Sequence, residues 1–293
     1  MNNGGNTALR PRRSVLYMPG ANTRAMEKAR ELACDSIIFD LEDAVSPDAK
    51  ETARTQVAAT VRAGGYGYRE LVVRVNGLDT PWAAADLSIA AQLPIDAVLL
   101  PKIETVEQID QCERMLAGTP AAALPLWVMI ETPRGVLAIE QILSSSKRID
   151  VVVMGTSDLV KELRARHTED RGALLPSLAH CVLVARAFDR VVLDGVHLDF
   201  RDAESFGRAC RQGRDIGFDG KTLIHPSQID IANTVFGPST DEIDQARLIV
   251  AAWGDAQRAG KGVAVVNGRL VENLHAAEAE RVLAFAAALV ARD

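Results

Sequence analysis

The chain alternates between short apolar runs and longer stretches with helical spacing. The runs are Ser14–Met18, Ser36–Phe39, Leu71–Val75, Ala97–Leu100, Leu126–Ile130, Val151–Met154, Val191–Leu193 and Phe218–Ile224. Most are β-branched and nearly continuous in hydrophobicity, the pattern of strands buried on both faces of a parallel sheet. Between them lie Asn22–Cys34, Pro47–Val61, Pro81–Gln92, Thr105–Leu116, Val136–Leu143, Pro176–Phe188 and Asp202–Ile216, which read as helices. In the first, Met26, Ala29 and Ala33 share a face behind an Asn22 or Thr23 cap. Eight strands spaced by roughly 29 residues, with a helix in each gap, predict a (β/α)8 TIM barrel. A doubly wound sheet is the rival. It carries a Gly-rich turn after an early strand, whereas Gly64-Gly65-Tyr66-Gly67 precedes a strand and lacks that spacing.

Past the eighth strand the chain runs on for about 65 residues, more than a minimal barrel needs. Asp241–Ala259 reads as a helix, Gly260–Val266 as an extended segment turning at Asn267-Gly268, and Glu272–Arg292 as a last helix with a broad apolar face. The expected organisation is a flexible tail over residues 1–12, a catalytic barrel over 13–237, and a C-terminal helical extension and lid over 238–293. An apolar face of that breadth needs cover, so the expected assembly is a homo-oligomer, a trimer or hexamer.

Composition narrows the function classes. Of 293 residues, 33 are Lys or Arg and 39 Asp or Glu, a net charge of −6 that argues against non-specific nucleic-acid binding. No run of about 18 apolar residues offers a membrane span. Residues 1–13 lack the apolar core of a signal peptide. Cys34, Cys112, Cys181 and Cys210 form no metal or redox spacing and read as buried free thiols. A cytoplasmic protein is the expectation.

In a barrel of this kind the C-terminal strand ends surround one mouth. Here they bring Asp40, Glu42 and Asp43, then Arg74 and Asn76, Lys102, Glu131, Asp158, Asp194 and His225. So many carboxylates around an arginine suggest a hard divalent cation beside an anionic substrate. Glu131 and Asp158 end adjacent strands and are the chosen metal ligands, although Thr132-Pro133 and Ser157 also suit plain helix caps. Arg74 lies inside an apolar strand end and needs a charged partner. At least one of Asp40, Glu42 and Asp43 is expected to pair with Lys50 or Arg54, or to cap the next turn.

These residues carry a resemblance. The chain resembles the citrate lyase beta-subunit family of the HpcH/HpaI aldolase superfamily, which includes malyl-CoA and citramalyl-CoA lyases. Seven stretches match in order: Arg13–Gly20, Phe39–Val45 with Lys50 and Arg54, Val73–Asn76, Leu100–Lys102, Ile130–Thr132, Gly155–Leu159 and Gly220–Gln228. The resemblance implies Mg²⁺ held by Glu131 and Asp158, and Arg74 on the substrate; in the mechanism expected from this, Asp40 orders water of the metal's shell. It implies a coenzyme A thioester as substrate carrier, with Pro19 and Gly20 along the pantetheine arm and Lys221 and His225 toward the nucleotide. Many relatives offer a tail aspartate across subunits. Here Glu272 stands at that position, in Asn267–Asn273.

The expected reaction is Mg²⁺-dependent carbon–carbon cleavage of a 3-hydroxy-carboxyacyl thioester to a 2-oxoacid and an acyl thioester. Glu272 and a water of the metal's shell are the candidate bases. The alternatives are thioester hydrolysis of malyl- or citramalyl-CoA, a class II aldolase on free 2-oxoacids, and a silent subunit that binds an acyl carrier.

Overall fold

The computed structural model describes residues 9–292. Residues 1–8 of the expected tail lie outside the described residues. The described residues divide into two compact units, one spanning Arg12–Phe236 and one holding residues 237–292 with residues 9–11.

The first unit is a closed barrel of eight parallel strands in sequence order, β1 pairing with β8. The strands are β1 (Ser14–Pro19), β2 (Ser36–Asp40), β3 (Glu70–Arg74), β4 (Ala97–Leu100), β5 (Leu126–Ile130), β6 (Ile149–Met154), β7 (Val191–Asp194) and β8 (Gly220–Leu223). Helices α1 (Thr23–Lys28), α2 (Lys50–Ala63), α3 (Ala83–Ala90), α4 (Val106–Leu116) and α5 (Pro133–Ser145) fill the first five gaps. The sixth gap holds two helices, α6 (Thr156–Glu162) and α7 (Leu175–Ala187), and α8 (Ala203–Ile216) fills the seventh. A short α9 (Ile229–Phe236) closes the unit. The TIM barrel expected from strand spacing is what forms.

Because side chains alternate across each strand, the barrel has two apolar layers. The interior holds Val15, Ile38, Val72, Ala97, Leu99, Trp127, Met129, Val151, Val153 and Leu193. The larger layer, including Leu16, Ile37, Phe39, Val73, Leu100 and Val128, packs under the helices. All four cysteines are free and buried, and burial pushes each thiol up to about 12, so none is a ready nucleophile.

The floor of the barrel is ionic. Arg12 is buried and donates Nε and Nη2 to the two oxygens of Glu70, each at 2.7 Å, and Nη2 also to Asp150 at 2.8 Å. Its guanidinium lies 5.3 Å from the Trp127 ring. The tail expected to run to residue 12 is therefore anchored at its last position. A charge at the edge of a closed sheet is buried where a carboxylate of a neighbouring strand meets it.

The second unit contains α10 (Thr240–Arg258), a two-stranded antiparallel ribbon of β9 (Ala264–Val266) and β10 (Arg269–Val271), and α11 (Asn273–Val290). Asn267 and Gly268 turn the ribbon with φ of +50° and +75°, the left-handed values that an Asn-Gly hairpin requires. Among the described residues, no helix is long and apolar enough to cross a membrane.

Candidate active site

A pocket of about 410 Å³ opens at the C-terminal mouth of the barrel. Asp40, Asp43, Arg74, Glu131 and Asp158 line it, with Tyr17, Met129, Met154, Val196 and Ile224 as its less polar wall. Strand register explains the first contact. Pro19, Asp40 and Arg74 sit level on β1, β2 and β3, so the last two meet side by side. Arg74 donates Nε to Asp40 Oδ1 at 2.7 Å and Nη2 to Oδ2 at 2.6 Å, a two-point fork. The Tyr17 ring lies 5.0 Å from the guanidinium.

The remaining nitrogen of Arg74 is less well served. Nη1 reaches Asp43 Oδ2 only at 3.4 Å and the Met129 sulfur at 3.9 Å, a weak acceptor. It lies 2.8 Å from Glu42 Oε2, yet no N–H points at that oxygen. The Nη1 end thus has hydrogens to offer an anion entering the pocket. Asp40 itself stays ionised: burial opposes its charge, but Arg74 and the backbone N–H groups of Glu42 and Ala44 outweigh burial and hold it below the usual range.

Glu131 is the contrasting carboxylate. It is 2 % exposed and accepts a hydrogen bond from the backbone N–H of Lys102 at 2.8 Å. Burial first, then the charges of Glu42 and Asp158, push it up to about 8. The adjoining strand end is shaped around it, since a Cβ on Gly155 would collide with the Glu131 side chain. Asp158, read from sequence as following strand 6, sits in the first turn of α6 and faces the same pocket. Among the described residues, no three His, Cys, Asp or Glu side chains gather as a metal cluster. The mouth has a carboxylate pair instead, the donor set of a hard cation that keeps sites for water and substrate oxygens.

Other expected residues fall elsewhere. Lys221 is 1 % exposed and its Nζ donates to Asp194 at 2.7 Å. Asp194 also takes Arg171, at 2.7 Å, and packs against Gly213 of α8. This ion cluster lies outside the barrel wall, so Lys221 cannot meet a phosphate and Asp194 leaves the ring of mouth residues. Strand parity is the physical reason: Thr222 and Ile224 line the pocket, which turns Lys221 toward α8. Pro19 lines the pocket, whereas Gly20 is buried on the Asp40 carbonyl, its N–H donating at 2.9 Å. His225 stands outside the lining, stacked on Phe200 with ring centroids 4.5 Å apart. Lys50 donates to the carbonyls of Leu41 and Glu42, and Arg54 pairs with Asp86, so neither forms an ion pair with the acids after β2. Asp40 does cap the next turn as expected, accepting from the N–H groups of Glu42 and Ala44 at 2.8 and 3.1 Å. Pairing with those acids falls to Arg74 and to Lys102, which donates to Glu42 Oε1 at 2.6 Å. Glu272 precedes α11 in the second unit, is exposed, and donates its backbone N–H to His275 Nδ1 at 3.1 Å.

Residues 13–226 match the family model described as HpcH/HpaI aldolase/citrate lyase. The chain belongs to that family. It is 48% identical over 281 residues, 96% of each chain, to a protein named (3S)-malyl-CoA thioesterase from Cereibacter sphaeroides. It is 34% identical over 94% of each chain to the citrate lyase subunit beta of Leuconostoc mesenteroides. A solved structure of CitE from Mycobacterium tuberculosis, in complex with magnesium, acetoacetate and coenzyme A, shares 29% identity. That likeness has a TM-score of 0.76 and covers 94% of this chain and 97% of the other. Carbon–carbon cleavage is the reaction expected from the sequence, with hydrolysis as an alternative; the 48% relative carries the alternative's name.

Tyr17 and Lys102 are the mouth residues whose part sequence reasoning missed. Tyr17 shares the inward face of β1 with Val15, two positions before it, and that parity was the available signal.

Proposed function

We propose that this chain is a Mg²⁺-dependent acyl-CoA enzyme that hydrolyses a 3-hydroxy dicarboxylic thioester of the malyl type. The observation that carries the substrate class is the mouth's uneven charge. Glu131, raised to about 8 by burial and by the charges of Glu42 and Asp158, shares a pocket with an arginine whose Nη1 hydrogens lack good acceptors. A divalent cation would answer the first and a substrate carboxylate the second.

Glu131 and Asp158 are the residues that would hold Mg²⁺, and the carboxylate pair in an open pocket fits it. Bound there, Mg²⁺ would supply Lewis acidity toward substrate oxygens. Arg74 Nη1 takes the substrate carboxylate, while Asp40 keeps the guanidinium plane fixed through the other two nitrogens. Tyr17 backs that plane, and Met129, Met154, Val196 and Ile224 shield the acyl chain from bulk water. Pro19 flanks the pantetheine arm, and His225 with Phe200 stands on the nucleotide side. Glu272 is the proposed base, delivered by the C-terminal lid of a homo-oligomer. Glu272→Gln then lowers kcat by roughly 10²–10⁴; unchanged turnover removes Glu272 from the mechanism. A monomer by light scattering across micromolar concentrations rejects the shared lid.

Hydrolysis is supported by the 48% identity to the protein named (3S)-malyl-CoA thioesterase over 96% of both chains. Citrate lyase subunits at 32–34% identity support the second reading, carbon–carbon cleavage. Incubation with Mg²⁺ and (3S)-malyl-CoA decides. Malate with free coenzyme A supports hydrolysis, and glyoxylate with acetyl-CoA replaces it by the lyase. No turnover rejects both.

A further inference from the structure

Lys102 has a backbone conformation that L-residues other than Gly rarely adopt, with φ of +52°. Such strain persists only where the surroundings fix it. Here both ends of the residue are held. The backbone N–H donates to Glu131 Oε1 at 2.8 Å, and the carbonyl accepts from Gln108 Nε2 at 3.1 Å. The turn throws the ammonium across the mouth to Glu42 Oε1 at 2.6 Å, with Asp43 at 3.9 Å.

Half of the Lys102 side chain faces solvent, and an exposed ion pair is ordinarily worth little. Its partner, however, is buried: the Glu42 side chain is 7% exposed. Glu42 has two cations within reach, Lys102 at Oε1 and Arg74 Nη1 at Oε2. Only Lys102 is hydrogen-bonded to it. The Nη1 hydrogens point to Asp43 and Met129, both of which line the pocket.

We infer that Lys102 is a positioning residue whose ammonium fixes the orientation of Glu42, so that its Oε2, although 2.8 Å from Arg74 Nη1, lies off the N–H directions and leaves those hydrogens facing the pocket for a substrate carboxylate. The inference rests on the proposed carboxylate role of Arg74. Without the ammonium, Glu42 is a buried carboxylate with one cation left, and it turns to accept from Nη1. The substrate then competes with a resident carboxylate for the same donors.

The test uses Lys102→Met, which keeps the stem and the backbone N–H to Glu131. The expected result is a KM for malyl-CoA raised roughly tenfold or more, the factor carried by one hydrogen bond to a charged group, with kcat changed much less. Mg²⁺ affinity by titration calorimetry stays near that of the parent, because Glu131 keeps its donor. The double variant Lys102→Met/Glu42→Gln restores KM toward the parent value, since a neutral amide competes poorly for Arg74. A merely structural role gives no such rescue. Calorimetry with malate and the Mg²⁺-loaded protein follows the same order of affinities, so the inference is read even if the parent turns over no thioester. A Lys102→Met protein with unchanged KM and malate affinity overturns it, as does a double variant no better than the single one.

Discussion

The two ends of the barrel use one device and put it to different ends. At the floor, Arg12 forks onto Glu70 and lies over Trp127; at the mouth, Arg74 forks onto Asp40 and lies over Tyr17. Each guanidinium is buried, and each is held charged because its carboxylate partners outweigh the cost of burial. The difference lies in what surrounds the fork. At the floor Ser36 and Asp150 complete the network. At the mouth Glu42, Asp43, Glu131 and Asp158 add carboxylates beyond what Arg74 and Lys102 offset, and a pocket of about 410 Å³ opens among them. A closed ion network braces a fold; one left unbalanced in a pocket is an invitation to ligands.

The largest expected effect breaks the floor. Arg12→Met strands a buried Glu70 and lowers stability by about 3–5 kcal/mol, with kcat/KM of the folded fraction unchanged. Urea denaturation beside steady-state kinetics checks both halves. The same substitution leaving stability intact would deny the floor its bracing role.

Arg74→Lys inverts the pattern. Lysine keeps the charge but not the fork, so the carboxylate loses its oriented donors and kcat/KM falls by roughly 10²–10³ while the melting temperature moves little. Equal losses of stability and activity would mean that the two ends do not differ in kind.

How far this contrast was legible in the sequence depends on the residue. The barrel was readable because eight apolar runs recur at even spacing, and the strand ends named Asp40, Arg74, Glu131 and Asp158. Arg12 was not, since nothing local distinguishes it from Arg10 and Arg13; its partner Glu70 is 58 residues away. Lys221 was placed on a phosphate because its neighbours in sequence carry the family pattern, whereas its own strand parity turns it to Asp194. The short helix at Thr156–Glu162 was hidden by the cap-like Gly-Thr-Ser-Asp run, which reads equally as a loop. The part played by Lys102 depends on a left-handed turn that no residue type advertises.

The smallest effect concerns Glu131 without metal. Its folded value is about 8 against an ordinary 4.5. The folded state therefore binds this proton more tightly than the unfolded chain does. Metal-free stability falls as pH rises from the ordinary value to the folded one, and levels off above it. Glu131→Gln removes that slope. Its melting temperature matches the parent below about pH 4.5 and exceeds it above pH 8, the gap opening between those values. A variant less stable than the parent at high pH would mean that the charge is already compensated.

The most direct measurement is a Mg²⁺ titration of the metal-free protein by calorimetry between about pH 6 and pH 9, in buffers of different ionisation enthalpy. Binding at one site is expected, tightening as pH rises to about 8 and releasing close to one proton below it, with Asp158→Asn abolishing the heat. No binding, or binding indifferent to both pH and Asp158, would contradict the reading of the mouth as a cation site completed by Glu131 and Asp158.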